Sequence, residues 1–227
     1  MIEGRPATPK GLRRLAFAAV LVALISSCGI DIVSVLDTPP VYISPLVFKG
    51  PADPDAQYYG VDVFYRIYAV EADATADREM LLAKQALANA LPGDAIKNYL
   101  LSDSYLKYRR LNVNANTPSL KKTFLQTYSA QFNYDQVSNE LFLLLYDGEL
   151  QINVSDFIPL PKILKRSNNS NFSNEPQAGD ADYHANAGDA NPTTYYVQFF
   201  AASYGLDTSL NDLYSDAVSL GIQAIDY

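Results

Sequence analysis

Tyr58 to Val70 reads YYGVDVFYRIYAV. Val61, Val63, Tyr65 and Ile67 alternate with Asp62, Phe64, Arg66 and Tyr68, and a period of two marks a β-strand with one apolar and one mixed, aromatic-polar face. A strand of an antiparallel sandwich, with one face buried, has this pattern. Later stretches repeat it. Glu140 to Tyr146, ELFLLLY, is short and wholly apolar, as in a strand buried on both faces, and Asp147-Gly148 is a hairpin signal leading into GELQINV. Thr194 to Tyr204, TYYVQFFAASY, and Asp216 to Ile225, DAVSLGIQAI, complete the convincing strands. Two proline-bearing segments, VYISPLVF around Pro45 and Phe157 to Leu164, read as edge or broken strands.

Between these strands the period changes once. Thr75 to Leu91, TADREMLLAKQALANAL, has a capping threonine, early acids and a stop at Pro92-Gly93, and so reads as a helix. Its expected buried stripe is Leu81, Leu82, Ala86, Leu87 and Leu91, with Arg78, Lys84 and Gln85 facing water. Helical material over residues 75–101 within a β-rich chain implies a mainly β antiparallel sandwich, residues 39–227, with a helical insertion across one edge or end of the sheet. Ser167 to Thr193, rich in Asn, Ser, Gly, Asp and Ala, reads as a long polar loop, and long loops without structure are usually functional or disordered.

Charge and composition narrow the function. The chain carries 17 Lys+Arg against 25 Asp+Glu. Residues 1–27 hold four of the basic groups and one acid, leaving 13 against 24 in the remainder. Nucleic acid is a poor partner for such a surface, which lacks clustered Lys and Arg. One cysteine excludes internal disulfides and thiolate zinc sites. Tyrosine at 17 and phenylalanine at 10, with no tryptophan, suit pleated, half-buried strands.

That cysteine ends the stretch LAFAAVLVALISSC, Leu15 to Cys28, which follows Arg13 and Arg14. Positive charge, an apolar run and small residues make a secretory signal. The run is too short for a bilayer span, which takes about 20 residues. With Ile25-Ser26-Ser27-Cys28 in the place of a lipobox, the segment resembles a bacterial lipoprotein signal. The resemblance implies lipidation of the Cys28 sulfur, cleavage between Ser27 and Cys28, residues 1–27 as a removed signal, residues 28–38 as a lipidated tether, and a place in the cell envelope. Gly29 at the second mature position would permit transfer to the outer membrane in a diderm host.

A second resemblance lies in the strands. Tyr59-Gly60-Val61-Asp62-Val63-Phe64-Tyr65-Arg66-Ile67 is similar to the central strand of fibronectin type III domains, Tyr195 to Ala202 to a later strand of that fold, and Ser215 to Leu220 to its closing strand. It implies a fibronectin-like sandwich with Tyr195 as a tyrosine corner, its hydroxyl bonded to the chain just upstream. The usual early tryptophan is absent, and more than a hundred residues separate the first two matched strands.

Candidate chemistry is thin. Tyr58, Tyr59, Phe64, Tyr68, Tyr196 and Phe200 could form an exposed face for carbohydrate or an envelope protein, or else line the core beneath a packed helix. Asp180, Asp182 and Asp189 make the polar loop oxygen-rich, as a calcium site requires, although the spacing is not that of an EF-hand. His184, the only histidine, lies in the same loop and is a poor candidate for catalysis. Glu140 and Glu149 could take part in glycan hydrolysis, but nothing in their spacing singles out a pair. No cofactor motif occurs. Sequence alone thus favours a lipid-anchored binding or structural module of the envelope that touches the membrane through Cys28, with a glycan hydrolase or a subunit of an envelope assembly as alternatives. An exposed aromatic row would favour binding, converging carboxylates an enzyme, and a long open edge strand an assembly.

Overall fold

The computed structural model describes residues 36–41, 47–51, 57–88, 94–111, 120–121, 129–147, 150–152, 162–186 and 192–227. The signal, Cys28 and most of the tether lie outside them. The described part is mainly β and antiparallel, in two sheets, with two helices.

Two long strands set the larger sheet. β2 (Tyr58–Tyr68) pairs antiparallel with β10 (Thr194–Leu206) over nearly its whole length. The far side of β10 is completed by β11 (Asp212–Tyr214) and β12 (Val218–Asp226). The far side of β2 is completed by three two-residue strands: β4 (Leu120–Lys121), β3 (Arg109–Arg110) and β9 (Tyr183–His184), the last of them parallel. In the smaller sheet β1 (Val47–Phe48), β5 (Ser129–Asp135), β6 (Glu140–Asp147) and β7 (Leu150–Ile152) run in order, with β8 (Lys162–Ile163) also on β6. β6 and β7 pair antiparallel from Asp147 opposite Leu150, where the Asp-Gly signal predicts a hairpin.

Alternation on β2 is the organising device. Val61, Val63, Tyr65 and Ile67 join Val197, Phe199 and Ala201 of β10 and face Phe48, Phe132, Leu141, Leu143 and Leu145 of the other sheet in one buried cluster. Burying each such side chain contributes about 1.5–3 kcal/mol. The opposite face of β2 is also closed. Phe64 and Tyr68, with Phe200 and Ala202, form a second cluster with Ala74, Leu81, Ile96, Leu100, Leu106 and Tyr108. This cluster lies under α1 (Glu71–Ala88) and α2 (Ala95–Leu101). The mixed face expected to stay half open is the floor of a helical layer, so the helices cover a face of the sheet rather than its edge or end.

Helix α1 begins four residues before Thr75, with Glu71 and Asp73 in the first turn, where acids favour the positive end of the helix dipole. Its docked stripe is narrower than the apolar pattern suggests. Ala74 and Leu81 are buried, whereas Leu82 is 43% and Leu87 84% exposed and Ala86 is also exposed; Leu91 lies outside the described residues. Polar anchoring sets the rotation. Asp77 bonds to Arg66 and Tyr68, and Gln85 bonds both backbone groups of Ala217, at 3.0 and 2.9 Å. Ala74, Asp77, Leu81 and Gln85 recur at helical spacing and outweigh the leucines beside them.

β2, β10 and β12, which carry the fibronectin resemblance, are neighbours in one sheet. Among the described residues the opposite sheet takes one strand from before β2 and the rest from after it, whereas in immunoglobulin-type sandwiches two strands of that sheet come first. Tyr195 departs as well: its hydroxyl donates to Glu175 Oε1 at 2.9 Å, a side chain twenty residues upstream, instead of the adjacent backbone.

Candidate functional site

The six aromatic residues do not form an exposed row. Tyr58 is 2% exposed, and Phe64, Tyr68 and Phe200 are fully buried. Tyr58 packs between the two sheets, the other three lie under the helices, and Tyr196 is partly buried against the same cluster. A carbohydrate platform across this face is excluded because α1 and α2 occupy it. Tyr59 is the exception, 53% exposed. Opposite β10 the register steps from Tyr204–Gly60 to Gly205–Tyr58, which leaves Tyr59 as the extra residue of a β-bulge. Bulges re-aim side chains. This one turns the Tyr59 ring outward beside Tyr204, 6.5 Å between centroids.

The charged residues of the sheet are bound up internally, in three units of similar make. In the first, Tyr214 donates to Asp62 Oδ2 at 2.6 Å and Arg110 Nε lies 3.2 Å from the same oxygen. In the second, Asp77 accepts from Tyr68 at 2.7 Å and pairs with Arg66 at 3.1 Å. In the third, Asp182 accepts from Tyr65 and is held by Arg166, Nε at 2.9 Å and Nη2 at 2.6 Å, while Nη2 also meets Asp180 at 2.7 Å. Burial, reinforced by the neighbouring carboxylates, pushes the phenols of Tyr65, Tyr68 and Tyr214 well above their usual range, so each stays protonated and donating. For Arg166 burial works against the charge, but Asp182 and Asp180 outweigh it and hold the guanidinium's pKa above its usual value. These units fasten β11 and β3, helix α1, and the 162–186 segment to the central strand.

The third unit also engages two of the three aspartates of the candidate calcium loop. Asp180 and Asp182 converge, but on a guanidinium, so their oxygens are engaged by Arg166; Asp189 lies outside the described residues. No group of three metal-ligating side chains occurs among the described residues. His184 belongs to β9, with its ring edge on Tyr68 at 5.8 Å and its Nε2 3.7 Å from Asp73. Glu140 accepts from Asn171 and Ser173, and Glu149 lies outside the described residues. The polar segment read as a loose loop is thus built into the fold as far as residue 186: Phe172 is fully buried in the inter-sheet core, and Arg166 and Asp182 are 1% exposed.

What the described surface does present is an edge. β12 is paired on one side only, with β10, and among the described residues no strand lies along its other side. The bond from the Tyr227 amide to the Thr193 carbonyl, 2.9 Å, fixes the alternation, because odd-numbered residues to Gly221 turn their backbone groups toward β10. Ile222, Ala224 and Asp226 therefore turn theirs outward. The two ends of this edge are closed by side chains: Gln85 takes the backbone of Ala217, and the Tyr134 hydroxyl accepts the Asp226 amide at 3.3 Å. Between them, Val218 to Ile225 carries no charge and no proline. Proteins commonly guard long edges with lysine, proline or covering segments. The opposite edge of this sheet is covered in that way by β3, β4 and β9; among the described residues β12 has, besides its closed ends, the bulge at Leu220, between Ser219 and Gly221, and the Gln223 side chain, whose Nε2 donates to the Ala224 carbonyl at 2.7 Å.

The sequence contains the β12 pattern but not its position at the border of the sheet, which depends on strand order. No family model matches the chain, and neither the curated proteins nor the solved structures compared with it contain a match.

Proposed function

We propose that the protein is a lipid-anchored structural module of the bacterial envelope whose β12 edge accepts an extended strand of a partner protein. The observation that carries the reading is the outward amides of Ile222 and Ala224 and the outward carbonyl of Ile222 on an uncharged edge, where the Ala224 carbonyl already accepts from Gln223 Nε2 at 2.7 Å. A strand added there gains main-chain hydrogen bonds, with side chains alternating into the flanking surfaces for selectivity. The carbohydrate-binding alternative loses its support because the aromatic face is covered. The hydrolase alternative has no converging pair of free carboxylates among the described residues to stand on. Anchoring follows from the lipobox-like Ile25-Ser26-Ser27-Cys28, with Gly29 permitting an outer-membrane address. A fibronectin-like ancestry is proposed for the β2–β10–β12 unit alone.

The test pairs a photocrosslinking amino acid at Gln223 with Ala224→Pro in the full-length protein in cells. Proline is tolerated on an edge where the N–H faces away from the sheet. The substitution removes one outward donor and leaves the β10 pairing intact. A discrete adduct that disappears in Ala224→Pro supports strand addition, while an adduct that survives it contradicts the reading. Cys28→Ser tests the anchor: membrane partitioning should be lost, and its persistence would exclude lipidation as the cause.

A further inference from the structure

We infer that the end of the sandwich that receives the tether lies on the membrane surface itself, with Tyr59, Tyr204 and Leu210 in the lipid headgroup layer. This rests on the anchoring of Cys28 proposed above. The folded body begins earlier than residue 39: Leu36 is 3% exposed within the inter-sheet cluster, and the Asp37 carbonyl accepts from Ser203 Oγ at 2.5 Å. Eight peptide links separate Cys28 from Leu36, a reach of at most about 28 Å. β10, with 13 residues, is about 43 Å long. A tether shorter than the body keeps its own end of the body nearest the lipid.

The surface at that end is suited to the position. Leu36 packs beside Gly205, and the Leu206 amide bonds to the Gln57 carbonyl at 3.2 Å. These contacts bring the bulged Tyr59 and the turn between β10 and β11 together around the point of entry. At the tip of that turn Leu210 is 77% exposed, at φ +65°, and Tyr59 stands out beside Tyr204. A tyrosine ring with an apolar body and polar tip is favoured at membrane interfaces. Of the acids nearby, Asp37 is exposed at the entry itself and two others are engaged. Asp207 accepts from the Asn211 side chain and from the amides of Asn211 and Ser209, which together hold its carboxyl below the usual range. Asp212 pairs with Lys97 at 2.7 Å. Exposed apolar side chains also occur elsewhere, Val137 at 95% for example. Only at the entry point do they coincide with the tether, and this coincidence carries the inference.

The absence of tryptophan makes the experiment clean, since each introduced tryptophan is the sole reporter. Lipidated protein carrying Tyr59→Trp, Leu210→Trp or Val137→Trp is reconstituted into phosphatidylcholine vesicles with bromine on the acyl chains. Val137 lies in the β5–β6 turn, near Tyr134, which meets Asp226 opposite Thr194 at the far end of β10. We expect emission to fall about twofold for Tyr59→Trp and Leu210→Trp, as for rings held within 5–10 Å of the acyl boundary, and to stay unchanged for Val137→Trp. Vesicle-bound protein in which all three reporters behave alike overturns the apposition and leaves the anchor standing. Protein that does not bind vesicles at all overturns the anchor, and the apposition with it.

Discussion

Arg166→Met removes the cation on which the polar segment is fastened. In the native fold Arg166 is 1% exposed and makes three contacts with carboxylates, two to Asp182 and one to Asp180, at 2.6–2.9 Å. Methionine fills much of the same volume, so the loss is chiefly electrostatic: Asp182, also 1% exposed, loses its counter-ion. Breaking a buried pair from one side costs about 3–5 kcal/mol. Tyr65 continues to donate to Asp182, which places the expectation near the low end, about 3 kcal/mol. For a folded part of this size, that corresponds to a fall in Tm of about 6–12 °C. Calorimetry on the lipid-free chain from residue 29 onward measures it. Adding Asp182→Asn, which discharges the stranded group, should recover part of the loss. A decrease below about 1 kcal/mol, the level of exposed pairs, would mean that the pair is solvated and that the 162–186 segment is held by something else.

Phe200→Ala should cost about 3–5 kcal/mol in urea denaturation, because the ring is fully buried against Tyr108 at 5.4 Å, whereas Tyr59→Ala should change stability by less than about 0.5 kcal/mol; equal effects would refute the helical cover. Gly205→Ala would set a Cβ 2.1 Å from the Gln57 carbonyl oxygen and 3.2 Å from Leu36 Cδ1, and such overpacking costs about 1–3 kcal/mol. It should show as faster limited proteolysis around residues 36–41. Burial opposes the charge of Asp180, but the Gln177 amide and Arg166 prevail and hold its carboxyl below the usual carboxylate range. A depressed folded pKa means a contribution that is complete above the ordinary carboxylate range and is lost as pH falls through the lower folded value. Tm measured against pH should therefore decline less steeply on the acid side in Asp180→Asn, and an unchanged acid limb would count against the pairing.

Strands were legible wherever one local rule decided them. The two-residue period at Val61 to Ile67 gave β2 and its inward face, and Asp147-Gly148 gave the turn between β6 and β7. The second face of β2 was harder to read because Asp62 and Arg66 look like solvent-facing residues until their partners, Tyr214 with Arg110 and Asp77, arrive from distant parts of the chain. The same holds for Arg166: a basic residue before an Asn/Ser-rich stretch reads as surface, and nothing local announces that Asp182 will enclose it. Helix α1 is legible in the sequence but its rotation is not, because Asp77 and Gln85 bond across the interface where the apolar pattern places leucines. The candidate site was the least legible feature. Whether Val218 to Asp226 lies at the border or the centre of a sheet depends on contacts across the whole fold, and only strand order makes it an edge.

The central claim, that β12 is an open edge taken up by a partner strand, is tested most directly by backbone hydrogen exchange over residues 218–226. Purified protein is compared with protein in its native envelope. We expect the amides of Ile222 and Ala224 to exchange quickly when purified, between the slow amides of Gln223 and Ile225 that point toward β10, and to become protected in the envelope. Equal protection of all four in the purified protein, or no gain for Ile222 and Ala224 in the envelope, would contradict the account.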